Sequence, residues 1–410
     1  MEAIAFRFVG TCNNNSFTVI MVSSVINMKE ILRVLSASLC PLRPEKPALE
    51  SLYKYKISNC ISFQDAGDTK KRRGRRGTCE FVQIIVLLVS LLIPSALTAQ
   101  KSIAPKPLYD DPVYHGAADP VIIYNNQEKK WWMFYTNRRA SIIDSTVQWV
   151  HGTRIGIAES NDGIKWTYLD TTNINYRVDE GYTFWAPDII EHKGSYHMYL
   201  TYVPGTFTDW NHPRVIVHLT SKDLKIWKYE STLKLVNEKV IDASVFKLND
   251  SLWRMWYNNE RDGKSIYYAD SKDLYNWTDK GKAIAARGEG PKVFYWHNKY
   301  FMIIDAWKGM EVYKSDDLLN WEKQSSRILE NPGTGKDDQV MGGHCDVVIN
   351  DGRAFVYYFT HPGRRKDQPA SRGSFDDKRS VIQVAELHYA NGEIVCDRNE
   401  ATIFQLKPGK

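Results

Sequence analysis

Ser160-Asn-Asp-Gly-Ile-Lys-Trp166, Ser221-Lys-Asp-Leu-Lys-Ile-Trp227, Ser271-Lys-Asp-Leu-Tyr-Asn-Trp277 and Ser315-Asp-Asp-Leu-Leu-Asn-Trp321 are four copies of one pattern, Ser-x-Asp-x-x-x-Trp. Repetition of this kind means that the chain is assembled from similar units. In each copy the Ser and Asp side chains can close a turn with hydrogen bonds to the backbone, and the Trp can plug the gap beneath it. The pattern therefore reads as a structural staple.

Working outward, a second element precedes each staple and occurs once more, making five. Its copies begin Ala118-Asp-Pro-Val-Ile-Ile-Tyr, Ala186-Pro-Asp-Ile-Ile-Glu, Ile241-Asp-Ala-Ser-Val-Phe, Glu289-Gly-Pro-Lys-Val-Phe and His344-Cys-Asp-Val-Val-Ile. Each is a short β-branched run followed by a polar turn and an aromatic-rich run, which predicts a hairpin. Third strands follow at Arg154, Arg214, Ser265 and Met310. Repeated antiparallel units fit propeller blades better than a sandwich, which has no reason to repeat its strand order. The fold class expected is all-β, a five-bladed β-propeller running from about Pro107 to Gln405, closed by an early strand joining the last blade near Ala385-Glu-Leu-His-Tyr.

The 410 residues are 43% hydrophobic, 12% aromatic and 25% charged, ample for a buried core and too rich in Trp and Tyr for disorder. The formal charge is +6, but residues 1–99 hold 13 Lys and Arg against 7 Asp and Glu, while the remainder holds 41 of each. A neutral body removes the electrostatic case for nucleic acid. The basic cluster Lys70 to Arg76, the apolar run Phe81 to Ile93 and the small residues ending at Ala99 have the layout of an export signal. The apolar core is short for a membrane span, which needs about 20 residues. The expected division is a leader over 1–69 that is either over-called or disordered, a signal peptide over 70–99, and a single propeller domain over 100–410. Cys345 and Cys396 are the only cysteines after the signal; they allow one disulfide, leave its pairing open, and lack the spacing of a zinc site.

The first strand of a propeller blade lines the central channel, so the residues opening the five repeats point toward one shared site. Those openings carry Asp119, Asp188, Asp242, Glu289 and His344. Each acid singly could cap a turn or meet a cation; carboxylates in blade after blade cost desolvation and repulsion, and together mark a pocket.

The order Ala-Asp-Pro at Asp119, Trp-Ala-Pro-Asp ending at Asp188, Ile-Asp-Ala-Ser-Val-Phe around Asp242 and Glu-Gly-Pro from Glu289 resembles glycoside hydrolase family 43, five-bladed propeller enzymes acting on arabinose- and xylose-containing glycans. The staples recur in that family too. The resemblance implies that Asp119 is the general base, Glu289 the general acid, and Asp188 a carboxylate that tunes and orients the acid. Hydrolysis with inversion needs an ionised and a protonated carboxyl about 6.5–9.5 Å apart. Trp185 is expected as a sugar-stacking platform or core residue. Asp242, followed by Ala243 where the family commonly has Pro, is expected to be structural or substrate-side. His344 is expected on the substrate side, as a hydrogen-bonder or the neighbour of a metal site.

The export signal and the neutral body imply a periplasmic or extracellular bacterial protein, and the resemblance implies a hydrolase of α-L-arabinofuranosidase or β-xylosidase type, with plant-type oligosaccharide or polysaccharide as its partner. No cofactor is expected to be required, no protein metal ligand is assigned, and a structural calcium near the channel axis is allowed. A propeller phosphorylase using Arg138, Arg139, Arg364 and Arg365 for phosphate, and an inactive glycan-binding propeller, stand as alternatives. The loops 138–153, 171–184, 203–213 and 325–342 are expected to form the walls of the site.

Overall fold

The computed structural model describes residues 3–13, 16–26, 102–144, 146–177 and 180–408. The stretch read as an export signal, 70–99, and most of the leader lie outside these residues. The chain divides into two compact units, 1–97 and 98–410. In the first, strands Ala3–Asn13 and Ser16–Ile26 pair antiparallel. Among the described residues, no helix is long and apolar enough to cross a membrane.

The second unit is a five-bladed β-propeller. Blade one is the sheet Ala117–Asn125, Lys130–Asn137, Ile155–Ser160 and Thr167–Thr171, its neighbours hydrogen-bonded in chain order. Blade two runs Thr183–His192, Ser195–Val203, Val215–Ser221 and Ile226–Thr232, with Asn173–Ile174 added in parallel at its outer edge. Blade three is Val240–Asn249, Leu252–Asn259, Ser265–Ser271 and Trp277–Ile284. Blade four is Glu289–Trp296, Lys299–Asp305, Met310–Ser315 and Glu322–Lys323, and blade five is Gly343–Asn350, Arg353–Thr360, Val381–Ala390 and Glu393–Val395.

The staples do what their composition predicts. In the third copy Ser271 Oγ accepts the Leu274 N–H at 2.9 Å, Asp273 Oδ1 accepts those of Tyr275 and Asn276 at 2.9 and 2.8 Å, and Trp277 Nε1 donates to the Leu274 carbonyl at 3.2 Å. What the sequence does not reveal is the partner of the tryptophan, an aromatic ring on the second strand of the preceding blade. Trp166 meets Tyr357, Trp227 meets Phe134, Trp277 meets Tyr199 and Trp321 meets Trp256, all edge-on, with centroids 5.3–6.4 Å apart. Edge-to-face contacts of this kind add to the area they bury. Each staple thus seals an interface between blades.

The ring is closed by the ends of the unit. Ser102–Ile103 pairs antiparallel with Ile403–Phe404, and Tyr109 and Ile382 exchange backbone hydrogen bonds of 3.1 and 2.9 Å. The stretch expected to accept the early strand, Ala385 to Tyr389, lies in the third strand of blade five, so the early chain does run to that blade, at Ile382.

Candidate active site

All five first strands carry an irregularity at the same place. Their pairing with the second strand slips between Ala118 and Val121, between Trp185 and Asp188, between Ile241 and Ser244, between Glu289 and Lys292, and between Gly343 and Cys345. Such β-bulges re-aim a side chain and commonly lie beside active sites. In four of them the bulged residue has a left-handed φ: Asp119 at +51°, Ala186 at +40°, Asp242 at +59° and Gly290 at +58°. At Gly290 the requirement is also steric, since a Cβ there would stand 2.5 Å from His344 Cγ.

The bulges divide the opening residues into two tiers. The upper tier lines a cavity of about 710 Å³ that holds Asp119, Asp242, Glu289 and His344. Arg138 Nη2 reaches both oxygens of Asp119 at 3.1 Å, and Arg138 Nη1 lies 3.2 Å from His361 Nε2. His361 Nδ1 donates to the Arg379 carbonyl at 2.9 Å, which leaves Nε2 as an acceptor for the guanidinium. Burial, with Arg364 and Arg138 nearby, holds this imidazole well below the usual histidine range. His344 Nδ1 stands 3.6 Å from Asp119 Oδ1 and 4.0 Å from Asp242 Oδ2. Asp242 Oδ2 accepts the Gly290 N–H at 3.1 Å, and burial, reinforced by Glu289 and Asp119, pushes its carboxyl well above the usual carboxylate range.

Glu289 is held from two sides. Trp307 Nε1 donates to Oε1 at 3.1 Å, and Lys264 Nζ lies 3.3 Å from Oε2. Lys264 also bonds Glu260 at 2.9 Å; burial works to lower its pKa, but Glu289 and Glu260 hold it above the usual lysine value.

The lower tier, two residues beyond the bulged position, contains Asp188, Ser244, Lys292 and Asp346. These side chains latch one blade to the next. Asp188 accepts the Val245 N–H at 2.7 Å, Ser244 that of Val293 at 3.3 Å, and Asp346 that of Ile122 at 2.7 Å. Lys292 Nζ sits between Asp188 at 3.1 Å and Asp346 at 2.8 Å, its pKa raised by those two carboxylates against the effect of burial.

The placement of Asp188 corrects an expectation. It is buried under the cavity and bound to Lys292, and is not among the cavity residues. The carboxyl that meets Glu289 through the bulge of a neighbouring blade is Asp242. In Trp-Ala-Pro-Asp the bulge position is taken by Ala186, which drops the acid one tier.

Trp185 lines the cavity by an edge, with its Nε1 bonded to the Val150 carbonyl at 2.6 Å. The open aromatic is Trp210, 53% exposed on the loop before Arg214, its ring 6.2 Å from that of Trp185. Of the expected walls, 138–153 contributes Arg138, Trp149 and Val150, 203–213 contributes Trp210, and 325–342 contributes Glu330 and Met341; the described residues of 171–184 contribute none, and 305–308 and 361–366 line the cavity as well. Of the arginines considered for phosphate, Arg138 is engaged by Asp119, Arg139 donates to the Gln148 carbonyl, and Arg365 pairs with Asp367. Arg364 lines the cavity and is bonded to Asp377.

A structural calcium near the axis would take oxygen ligands from the residues around it. Among those described, no three His, Cys, Asp or Glu side chains are placed to share an ion, and the buried pair Asp188 and Asp346 already has the Lys292 ammonium between its oxygens. Cys345 is buried, Cys396 is half-buried, and both are free thiols.

Residues 109–304, which include Asp119, Asp188, Asp242 and Glu289, match the family model described as glycosyl hydrolases family 43. Among solved structures, the chain is similar to a thermostable family-43 glycoside hydrolase at 18% identity and TM-score 0.55, over 74% of this chain and 99% of that one. It is similar to CoXyl43, a β-xylosidase/α-arabinofuranosidase from a compost microbial metagenome, at 16% identity and TM-score 0.52, over 75% and 98% of the two chains. A xylan β-1,4-xylosidase from Bacillus halodurans C-125 is similar at 14% identity and TM-score 0.52; the alignment covers 70% of this chain and 56% of that one, little more than half its length. At these identities the likeness shows the propeller fold. No curated protein matches the chain.

Proposed function

We propose that this chain, which belongs to glycoside hydrolase family 43, hydrolyses a glycosidic bond with inversion, using Glu289 as general acid and Asp119 as general base. The observation that carries this reading is the upper tier itself: Asp119, Asp242 and Glu289 converge on one cavity from blades one, three and four. An inverting site needs two carboxyls of opposite protonation flanking the anomeric carbon, with room for water between.

The proposed roles follow from what each carboxyl touches. Asp119 is held by two hydrogen bonds from Arg138 and is suited to orient a water and take its proton. Glu289 receives hydrogen bonds from Trp307 and Lys264 that fix its orientation toward the leaving oxygen. The tuning role first expected of Asp188 passes to Asp242, which shares the cavity with Glu289 and whose carboxyl is pushed up by burial first and by Glu289 second. The substrate class we assign is the α-L-arabinofuranoside or β-xyloside type, supported by family membership and by a funnel with Trp185 and Trp210 on one wall. Export through a signal at 70–99 remains our reading of the sequence.

The test is sugar release from a panel of aryl glycosides and plant oligosaccharides, with Glu289→Gln and Asp119→Asn as controls and proton NMR following the anomer formed. Loss of about 10³-fold or more in kcat/KM in both variants, with inverted product, is expected, given what acid–base groups contribute. Retained configuration refutes the mechanism. Turnover only with added phosphate would make the chain a phosphorylase, and glycan binding without turnover would make it an inactive propeller.

A further inference from the structure

The residue that follows the second strand is Arg138 in blade one, Glu260 in blade three and His361 in blade five, and all three line the cavity. Arg138 serves Asp119 and His361 backs Arg138. Glu260 stands instead between two cations. Its Oε2 lies 2.9 Å from Nε of Arg214, at the entry to the third strand of blade two, and its Oε1 accepts from Lys264 Nζ at 2.9 Å. Lys264 Nζ reaches Glu289 Oε2 of blade four at the longer distance of 3.3 Å. A row of alternating charge, Arg214, Glu260, Lys264 and Glu289, thus runs along the cavity wall through three blades and ends on the carboxyl assigned as the acid.

The backbone fixes the members of the row. The Lys264 carbonyl accepts the Gly288 N–H at 3.1 Å and Asn258 Nδ2 at 2.9 Å, which ties the turn of blade three to the residue before Glu289. The Glu260 N–H donates to the Lys239 carbonyl at 3.0 Å, and Lys239 is bridged to Arg214. The Arg214 side chain is buried; it donates to the carbonyls of Trp210 and His212 and lies 5.4 Å from the centroid of the Trp185 ring. With both ends held, the Lys264 ammonium is shared between two carboxylates and sits nearer to Glu260. We propose that Glu260 is a positioning residue for the acid: backed by Arg214, it draws the Lys264 ammonium away from Glu289, so that Lys264 orients the acid without pairing fully with it. This rests on the reading of Glu289 as general acid.

A cation beside a carboxyl favours its ionised form, whereas a general acid must carry a proton to give. Arg214, Glu260 and Lys264 together present one positive charge to Glu289. Without the Glu260 charge they would present two, and the ammonium would have a single carboxylate left to approach. The other groups facing Glu289 are Asp242 from blade three and Asp305, its cross-strand partner, whose negative charges favour the protonated acid, with His344 of blade five bonded to Asp305 through its N–H. Around Trp307, which donates to Glu289, Lys264 and Arg287 lie 5.0 and 5.2 Å from the ring centroid, and Lys308 follows it on the cavity wall. Glu238, whose carbonyl accepts the Arg214 N–H, has its carboxylate paired with Arg261.

Two variants should move the high-pH limb of kcat/KM, measured on the best substrate found, in opposite directions. Glu260→Gln keeps the shape and removes the charge, and the limb should move down by about half a unit. Lys264→Met removes the cation, and the limb should move up by about one unit. In the double variant the limb should stay where Lys264→Met alone puts it, because the ammonium that Glu260 restrains is gone. Glu260→Asp, which keeps the charge for the fold and withdraws it from Lys264, should give a smaller shift of the same sign as Glu260→Gln. An unmoved limb in both Glu260 variants, or a loss that is equal at every pH, overturns the inference. A second measurement needs no turnover: carboxyl carbon-13 NMR titration, with the Glu289 signal identified by its loss in Glu289→Gln. The Glu289 midpoint should fall in Glu260→Gln and rise in Lys264→Met; an equal midpoint in wild type and Glu260→Gln overturns the inference. Silence of the wild type across the substrate panel instead sinks the hydrolase reading, while the titration still reports whether Glu260 restrains Lys264.

Discussion

Replacing Lys292 by Met should destabilise the propeller by about 5 kcal/mol at neutral pH, and the deficit should shrink on acidification. Each separation from Lys292 Nζ, 3.1 Å to Asp188 and 2.8 Å to Asp346, corresponds to about 5 to 6 kcal/mol of attraction at an effective dielectric constant of about 20. In the wild type the cost of burying three charges consumes most of that. Methionine fills a similar volume but leaves two buried carboxylates without their cation, the situation that costs about 3–5 kcal/mol for one broken pair. One ammonium serves two acids here, which puts the loss at the top of that range. For a domain of this size the drop in Tm is about 10 °C. The sign of the pH dependence follows from Asp346, whose carboxyl burial already holds above the usual range. An acid with a folded pKa above its unfolded one binds protons more tightly when folded, so the penalty is full above the folded pKa and fades as pH falls toward the unfolded value. Thermal unfolding by circular dichroism at pH about 7 and about 4.5 reads both parts. A Tm within about 2 °C of wild type, or a gap that is the same at both pH values, would refute the view of Lys292 as the cation of the lower tier.

Asp188→Asn should behave as a stability variant, melting lower while retaining most of its kcat, whereas Asp242→Asn should melt near wild type and lose turnover; paired melting and kinetic measurements check both. Asp273→Ala removes two turn-closing hydrogen bonds and should cost about 1 kcal/mol in denaturant unfolding. Those bonds hold the Asp273 carboxyl down at about 2 against the effect of burial, so its contribution is present above pH about 4 and lost as pH falls toward 2. Trp210→Ala should raise KM for oligosaccharides and leave kcat on a small aryl glycoside nearly unchanged. Cys345 and Cys396, their thiols pushed up by burial, the latter to about 12, should react with a thiol reagent only after unfolding, as peptide mass spectrometry of the labelled protein reads.

The fold was legible because repetition multiplies weak signals. One Ser-x-Asp-x-x-x-Trp is a turn, and four in register with five hairpins leave little but a propeller. The site was half legible. Asp119, Asp242, Glu289 and His344 do meet in one cavity, as the openings suggested, but the openings were matched by where an acid stands, and the chain matches them by where the bulge stands. A bulge depends on pairing with the second strand, which no single opening displays, and so Asp188 was placed a tier too high. Asp305 was missed because Tyr300-Phe-Met-Ile-Ile-Asp reads as an apolar strand reaching its turn. The signal existed one comparison away, in the polar residue three positions after a methionine in four successive blades. Trp210 and Trp307 carried no such signal, being single residues in loops.

The clasp between Ser102–Ile103 and Ile403–Phe404 makes the first residues of the propeller wait for the last. Every blade can form its hairpins as it is synthesised, and each staple can dock on the blade before it, but the staple of blade one has its aromatic partner, Tyr357, in blade five. Loop closure over nearly the whole length of the fold comes late and slowly. The ring is therefore a lock that only a finished chain can shut. A truncated product lacking the final residues would carry every member of the upper tier and still leave Ser102–Ile103 without its clasp.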